Sequence, residues 1–402
     1  MIQKRSLVWC GCLAILLAVC FAWSGNISAA EKKEIIVGAV NSMTGPDAMT
    51  GAEQKWAYEQ AVADINKKGG IYVKELGKKL PIKLVFADDA SVPDRAAAAM
   101  ERLVKSSKID LALSSDTTPK NLAAATVCEK YKMFFLIDLA WPEMVEKEGY
   151  KWVAAYFFSP LGAAQVPFQI WDSLPQADKP RNPVLITEDN RDGQAFREMF
   201  QQSAKEHNYT FVMDNPAPQG NKDFSSYILK MKAANADALL FHGDANSGIT
   251  IIRQMQEQGL KLKYIHGWQG FWPTEFYKAL GEKSNFILHD GFWTENNGAP
   301  MSKDLGRRYV KQFGRDSVSV GHHYASVQVL AMAIEKAGSI KPAKVRDAVF
   351  GGTFDGTTLG KISFNAKGIA TTQSLALQWW NGERMPVWPV LPTWKLKVIP
   401  TN

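Results

Sequence analysis

The chain has 402 residues, of which 46% are hydrophobic, 11% aromatic and 22% charged, with 30 Gly and 19 Pro. That makeup excludes collagen-like, coiled-coil and disordered classes, and the length suits two compact units with sizeable cores. Lys and Arg number 47 against 40 Asp and Glu, a formal charge of +7 with no basic block, so no nucleic-acid partner is expected.

The first thirty residues read as a separate object. Lys4 and Arg5 precede an apolar run over residues 7–23, and small residues end at Ser28-Ala29-Ala30. This is the pattern of a secretory signal peptide cleaved after Ala30, which predicts a periplasmic protein. A permanent anchor is the alternative, since the run is about as long as the shortest spanning helices. Cleavage removes Cys10, Cys12 and Cys20 and leaves Cys128 as the single cysteine. An exported chain with one cysteine has no internal disulfide and must rest on its hydrophobic core. No apolar run of about 18 residues follows Ala30, so the mature chain is expected not to cross a membrane.

Beyond residue 30, short apolar runs alternate with amphipathic stretches. The pattern predicts strand 35–40, helix 51–67, strand 82–87, helix 93–105, strand 109–113, helix 118–130, strand 133–139 and a short segment from Pro142. A second series follows with strand 183–187, helix 193–207, strand 210–213, helix 223–234, strand 238–242 and helix 247–259. The tail reads as helices 303–313, 324–337 and 342–350, late strands 361–364 and 375–380, and an extended Pro-rich end from Pro386 to Pro400. Strand-helix alternation implies parallel sheets covered on both faces, and in such sheets ligands bind outside the carboxyl ends of the strands.

Metal and nucleophile motifs are absent. There is no His-Glu-x-x-His, no Gly-x-Ser-x-Gly and no phosphate loop, and His322-His323, the only tight imidazole pair, points to different faces of a helix. No metal or cofactor is expected. The run Ser114-Ser115-Asp116-Thr117-Thr118-Pro119 is more informative. A buried strand ends in hydroxyls, Thr118 can cap a helix and Pro119 fits its first position. Backbone N–H groups there, with the hydroxyls of Ser114 and Ser115, could cradle a carboxylate; an ordinary capping loop is the alternative. Trp141, Trp268, Phe271 and Trp272 sit among loop glycines and prolines, which suggests a ligand-lining wall as readily as a core. Asp138, Asp192 and Asp244 occupy other strand-end loops, where each could hold an ammonium group or simply cap a helix.

In these residues the mature chain resembles the periplasmic branched-chain amino acid binding proteins, the type I solute receptors of ABC transporters. The resemblance is carried by Ile36-Val37-Gly38, Thr44-Gly45-Pro46, Gly51-Ala52-Glu53, Ala61-Val62-Ala63-Asp64-Ile65-Asn66, Gly69-Gly70-Ile71 and Asp88-Asp89. Ser114-Ser115-x-Thr117-x-Pro119, Lys222-Asp223-Phe224-Ser225 and Tyr324-Ala325-x-Val327-Gln328 then follow in the family's order.

The resemblance implies an α/β fold of two doubly wound parallel-sheet lobes joined by a three-strand hinge. One lobe is expected over 31–157 and 297–358 and the other over 158–296 and 359–402. The family's carboxylate-binding hydroxyl falls on Ser114 and its next backbone contact on Asp138, while a second hydroxyl position falls on Ala140, where it is absent. The acid that holds the ligand's ammonium falls at or beside Gln269. Positions often aromatic in the second lobe fall near Asp192 and Asp244, and the first-lobe loop aromatic falls on Thr50. Cysteines that some members pair are replaced by Ser91 and Leu113. Either Asp138, Asp192 or Asp244 takes over the ammonium, or the ligand lacks one, as an aromatic or other organic acid does. An uncompensated ammonium buried beside Gln269 would be costly.

The resulting expectation is a monomeric, non-enzymatic binding protein that closes on a small carboxylate ligand and delivers it to a membrane permease. The expected contacts are Thr50, Ser114, Ser115, Asp138, Ala140, Trp141, Asp192, Asp244, Trp268, Gln269 and Phe271. A sensory receptor of the same fold is an alternative. An exported hydrolase is another, although Ser114 and Ser115 lack the glycines of a nucleophile elbow.

Overall fold

A buried parallel strand needs a covering segment, usually a helix, to return the chain to the same end of its sheet, and this requirement organises most of the molecule. The structure, a computed structural model, describes residues 32–45 and 47–389. Residues 1–31 (which include the expected signal peptide), Pro46 and the Pro-rich end after residue 389 lie outside the described residues, as do the side chains of Arg191 and Gln269.

The strands in chain order are β1 (Ile35–Asn41), β2 (Ile71–Val73), β3 (Lys78–Leu80), β4 (Ile82–Asp88), β5 (Leu111–Leu113), β6 (Phe135–Ile137), β7 (Val153–Phe158), β8 (Pro183–Thr187) and β9 (Met213–Asp214). They continue with β10 (Ala238–Gly243), β11 (Tyr264–Gln269), β12 (Leu288–Gly291), β13 (Thr353–Thr357), β14 (Gly360–Ser363), β15 (Ile369–Thr372), β16 (Leu375–Trp380) and β17 (Glu383–Trp388). One sheet has the order β15-β7-β6-β5-β1-β4 and is parallel throughout. The other has the order β17-β16-β12-β11-β10-β8-β9. The expected parallel arrangement holds from β12 through β9, and an antiparallel edge is added to it where β12 pairs with β16 and β16 with β17. The hairpin β16-β17 closes that edge without a crossover helix.

Prolines mark several helix starts. Pro93, Pro119, Pro142, Pro160 and Pro342 each stand in a first turn, where a missing N–H leaves nothing unsatisfied. In the first lobe, Trp56 and Tyr58 of the helix Ala48–Lys67 and Leu330 of the helix Val320–Ala337 pack with Val37, Leu113 and Leu136 on one face of the sheet. Met100, Leu103, Ala124 and Cys128 fill the other face with Ala112 and Phe135. Burial pushes the Cys128 thiol well above its usual value, as suits an inert core residue. In the second lobe, Phe168, Trp171 and Phe200 cover one face with Leu185 and Leu240, while Ile228, Ile251 and Phe276 cover the other with Ile186 and Leu239.

The two lobes use one device at matching places. A Cβ on Gly51 would sit 2.1 Å from the Ser42 carbonyl oxygen, and one on Gly193 would sit 2.0 Å from that of Glu188. Only glycine lets each helix start lie that close to the strand end before it.

The chain changes sheet three times: after β7 into the helix Pro160–Asp172, after β12 toward the helix Ser302–Phe313, and between β15 and β16. Leu305 and Tyr309 place the helix Ser302–Phe313 in the first lobe's core. The last passage falls between Thr372 and Leu375 rather than after residue 358, because β15 pairs with β7.

Candidate functional site

β7 and β12 each leave their sheet at the carboxyl end, so the carboxyl ends of both sheets converge on the passages. The sequence there is aromatic. Phe157 and Phe158 end β7, Phe292 follows β12, and their rings lie 5.2 Å (Phe157–Phe292) and 5.8 Å (Phe158–Phe292) apart. Trp141, after β6, packs on Phe157 at 5.5 Å and Phe158 at 5.4 Å and reaches Phe196 of the second lobe at 6.5 Å. Trp272 lies edge-on to Phe292 at 6.2 Å and donates its indole N–H to Asp290. The result is an apolar floor between the lobes, with strand-end polar groups on either side.

On the first-lobe side the structure places Ser114 and Asp138 against each other rather than in the cleft. Ser114 Oγ donates to Asp138 Oδ1 at 2.6 Å and accepts the Asp138 N–H at 3.2 Å. Asp138 also accepts from Tyr58 at 3.0 Å, Ser326 at 2.7 Å and Gln54 at 3.4 Å, and its Oδ2 lies 2.9 Å from His323 Nδ1. Burial alone would push this carboxyl up, but the imidazoles of His323 and His322 and the Ser114 hydroxyl hold it down to about 2. His322 stands beside it with Nε2 2.6 Å from the Asp138 carbonyl oxygen; burial lowers this imidazole to about 4 against the pull of Asp138. Ser115 Oγ is likewise spent on Asp89 at 2.5 Å.

Both serines and Asp138 are buried and hydrogen-bonded within the first lobe. Ala140 is buried as well. Thr118 was expected as a cap, yet Thr117 holds that position and makes no side-chain cap. Thr118 Oγ1 accepts the Trp141 N–H at 3.1 Å and keeps its own hydrogen for another acceptor. Thr50 is exposed in the first turn of the helix Ala48–Lys67.

On the second-lobe side, Asp244 caps the helix Ala245–Glu257, accepting from the N–H groups of Asn246 at 2.7 Å and Ser247 at 3.1 Å. Glu188, which sequence reasoning missed, accepts the Asp244 N–H at 3.0 Å. Burial and the Asp244 carboxylate push Glu188 up; Asp244, whose burial is opposed by the Glu188 and Ser247 hydrogen bonds, is lowered. Asp192 is the outlying acid: its side chain is 48% exposed and lies 3.3 Å from His242 Nε2. Trp268 is 1% exposed, stacks on His266 at 4.4 Å and packs edge-on to Phe200 at 4.5 Å; Phe271 is buried between Phe241 and Phe276. Both are core residues, and of the loop tryptophans Trp141 and Trp272 are the half-buried ones. The Gln269 backbone pairs in register with Gly243, and its side chain lies outside the described residues. Among the described residues no group of three or more His, Cys, Asp or Glu is placed to hold a metal ion, and no helix is long and apolar enough to cross a membrane.

Residues 34–384 match the family model described as periplasmic binding protein. The Leu/Ile/Val-binding protein homolog 3 of Brucella melitensis is 25% identical over 372 residues, covering 92% of this chain and 97% of that one. Among solved structures, the branched-chain amino acid transporter substrate-binding protein LivJ of Streptococcus pneumoniae, in complex with isoleucine, superposes with a TM-score of 0.72. It is 22% identical and covers 88% of this chain and 99% of its own. A solute-binding protein of an ABC transporter from Rhodopseudomonas palustris, in complex with 3,4-dihydroxybenzoic acid, gives a TM-score of 0.69 at 20% identity, covering 89% of this chain and 97% of its own. With a family model matched over most of its length, the chain is a member of the periplasmic binding protein family.

Proposed function

We propose that the protein is the extracytoplasmic solute receptor of an ABC importer, exported by residues 1–30, working as a monomer without catalysis and delivering its ligand to a membrane permease. The lobes, which we place at 31–157 with 297–373 and 158–296 with 374–402, close on a small carboxylate ligand. The observation that carries this reading is the floor of Trp141, Phe157, Phe158, Phe292 and Trp272 at the passages, which suits an apolar or aromatic body. The carboxylate end is assigned to the uncapped start of the helix Thr118–Tyr131 and to the Thr118 hydroxyl, whose hydrogen is uncommitted.

Of the three acids Asp192 is the most exposed, beside His242, and is assigned to an ammonium group if the ligand carries one. An aromatic or aliphatic acid needs no such partner, and the floor favours it. The relatives bracket these choices, since one binds isoleucine and another 3,4-dihydroxybenzoic acid. Mass spectrometry of small molecules released by denaturing freshly purified protein tests the proposal: a carboxylate released in one-to-one amount supports it, and a ligand without a carboxylate overturns it.

A further inference from the structure

The segment joining the helices Ser302–Phe313 and Val320–Ala337 is flanked on both sides by first-lobe core, yet it is tied to both lobes. On one side Glu53, in the helix Ala48–Lys67, accepts from Tyr309 at 2.9 Å, Ser317 at 2.7 Å and Ser319 at 2.5 Å and lies 3.2 Å from Arg315 Nη1. On the other side Asp316 Oδ1 accepts from Thr274 Oγ1 at 3.0 Å, and Asp316 Oδ2 pairs with Arg384 Nη1. Thr274 opens the helix Thr274–Leu280 and Arg384 lies on β17, so both partners belong to the second lobe. Asp316 thereby joins the lobes through side chains, in addition to the three backbone passages.

The second-lobe half of this contact is firmly seated. Arg384 is 6% exposed, covers the Trp379 ring at 4.4 Å and donates through Nη2 to the Trp272 carbonyl oxygen. The same Trp272 turns its ring to Phe292 at the cleft floor. Asp316, by contrast, stays 33% exposed, so water can replace its partners when the lobes part. Arg384 is the buried charge of the pair, so parting from Asp316 is tolerable only if opening of the lobes brings water to the guanidinium as well.

We propose that Asp316 with Thr274 and Arg384 is an interlobe latch, made when the lobes close, and that its seat on the Trp272 loop lets a ligand on the floor strengthen it. This rests on the reading of the protein as a two-lobed receptor that closes on a solute. Asp316 is a positioning residue: it touches no ligand and sets the ratio of closed to open protein.

The test uses small-angle X-ray scattering and hydrogen exchange on the ligand-free exported protein, comparing the native chain with Asp316→Ala, Asp316→Glu and Thr274→Val. The expected result is an open fraction raised roughly three- to tenfold in Asp316→Ala, about what loss of a half-exposed ion pair with a neutral hydrogen bond allows. Exchange should also quicken at residues 272–274, in the lobe that carries no substitution, and Asp316→Glu should restore much of both. Thr274→Val keeps the Asp316–Arg384 charged pair and the Glu53 side but also removes the hydroxyl that accepts from Arg384 Nη2 at 3.3 Å, and it should shift the ratio in the same direction by less. Unchanged scattering in Asp316→Ala, or faster exchange confined to residues 314–319, would overturn the latch. If Asp316→Ala opens the protein but no amino acid or aromatic acid shifts the native chain, the latch stands and the solute reading falls.

Discussion

Ser114 gives its hydroxyl hydrogen to Asp138 at 2.6 Å, a bond that ties the ends of β5 and β6 together. The pair belongs to a buried carboxylate site that ties β5 and β6 to the helices Ala48–Lys67 and Val320–Ala337 through Tyr58, Gln54, His323 and Ser326. Such a network is worth keeping only when complete.

Ser114→Ala is therefore expected to cost stability rather than affinity. Loss of a hydrogen bond to a charged acceptor amounts to about 1.5–3 kcal/mol, and removing the carboxylate in Asp138→Asn should cost at least as much by leaving the facing donors unmatched. Urea unfolding measures both. A Ser114→Ala protein with native stability and weakened ligand binding would return the serine to the cleft.

Acid should loosen the protein in two stages. Burial lowers His322 to about 4 and His266 to about 3, below the ordinary imidazole value of about 6.5. The unfolded chain then takes up these protons first, so stability is full above pH ~6.5 and falls by up to about 1.4 kcal/mol per unit for each group as pH drops toward the folded values. Asp138, held down to about 2, adds its loss only below pH ~4. His266 stacks on Trp268 with Nε2 unpartnered, so His266→Phe should gain stability over the native chain at pH 5 relative to pH 8. Parallel melting curves of Tm against pH for the two proteins would contradict this.

The tryptophans should separate by role. Trp268→Ala empties a core position and should cost about 3–5 kcal/mol of stability. Trp272→Ala and Trp141→Ala alter the floor at half-buried positions, and calorimetric titration should show tenfold or greater loss of ligand affinity, on the order of 1.4 kcal/mol or more. Equal affinity losses at Trp268 and Trp272 would mean that the floor has been misplaced.

Asp192→Asn distinguishes the two ligand classes. With its carboxylate half-exposed, the variant should lower binding of an amino acid about three- to tenfold and leave the des-amino analogue unchanged. An equal effect on both ligands would remove Asp192 as the ammonium partner.

Much of the scaffold is legible in the sequence because its period is regular: the helix Pro93–Lys105 and the strands Pro183–Thr187 and Leu375–Trp380 coincide with the ranges read from hydrophobic pattern alone. Other elements hide for physical reasons. The helix Pro160–Asp172 is buried on most sides and holds Pro167 in its interior, so it shows no clean polar face. β12 reads Leu-His-Asp-Gly, and its polar residues are buried by long-range neighbours that no local pattern announces. The site fared likewise. Trp141 was visible as a loop aromatic, whereas Phe157, Phe158 and Phe292 matter because the passages bring them together. Asp138 could not be read as an interior group, since its partners lie 24, 80, 185 and 188 residues away in sequence.

The central claim is that a small carboxylate binds over the floor at the passages, with Thr118 at one end and Trp272 beneath. Calorimetric titration of ligand-stripped protein, Thr118→Val and Trp272→Ala with the molecule recovered from the native protein tests it most directly. One-to-one binding to the native chain is expected, with roughly tenfold or greater loss of affinity in each variant measured under conditions where it remains folded. Native affinity in both variants would contradict it.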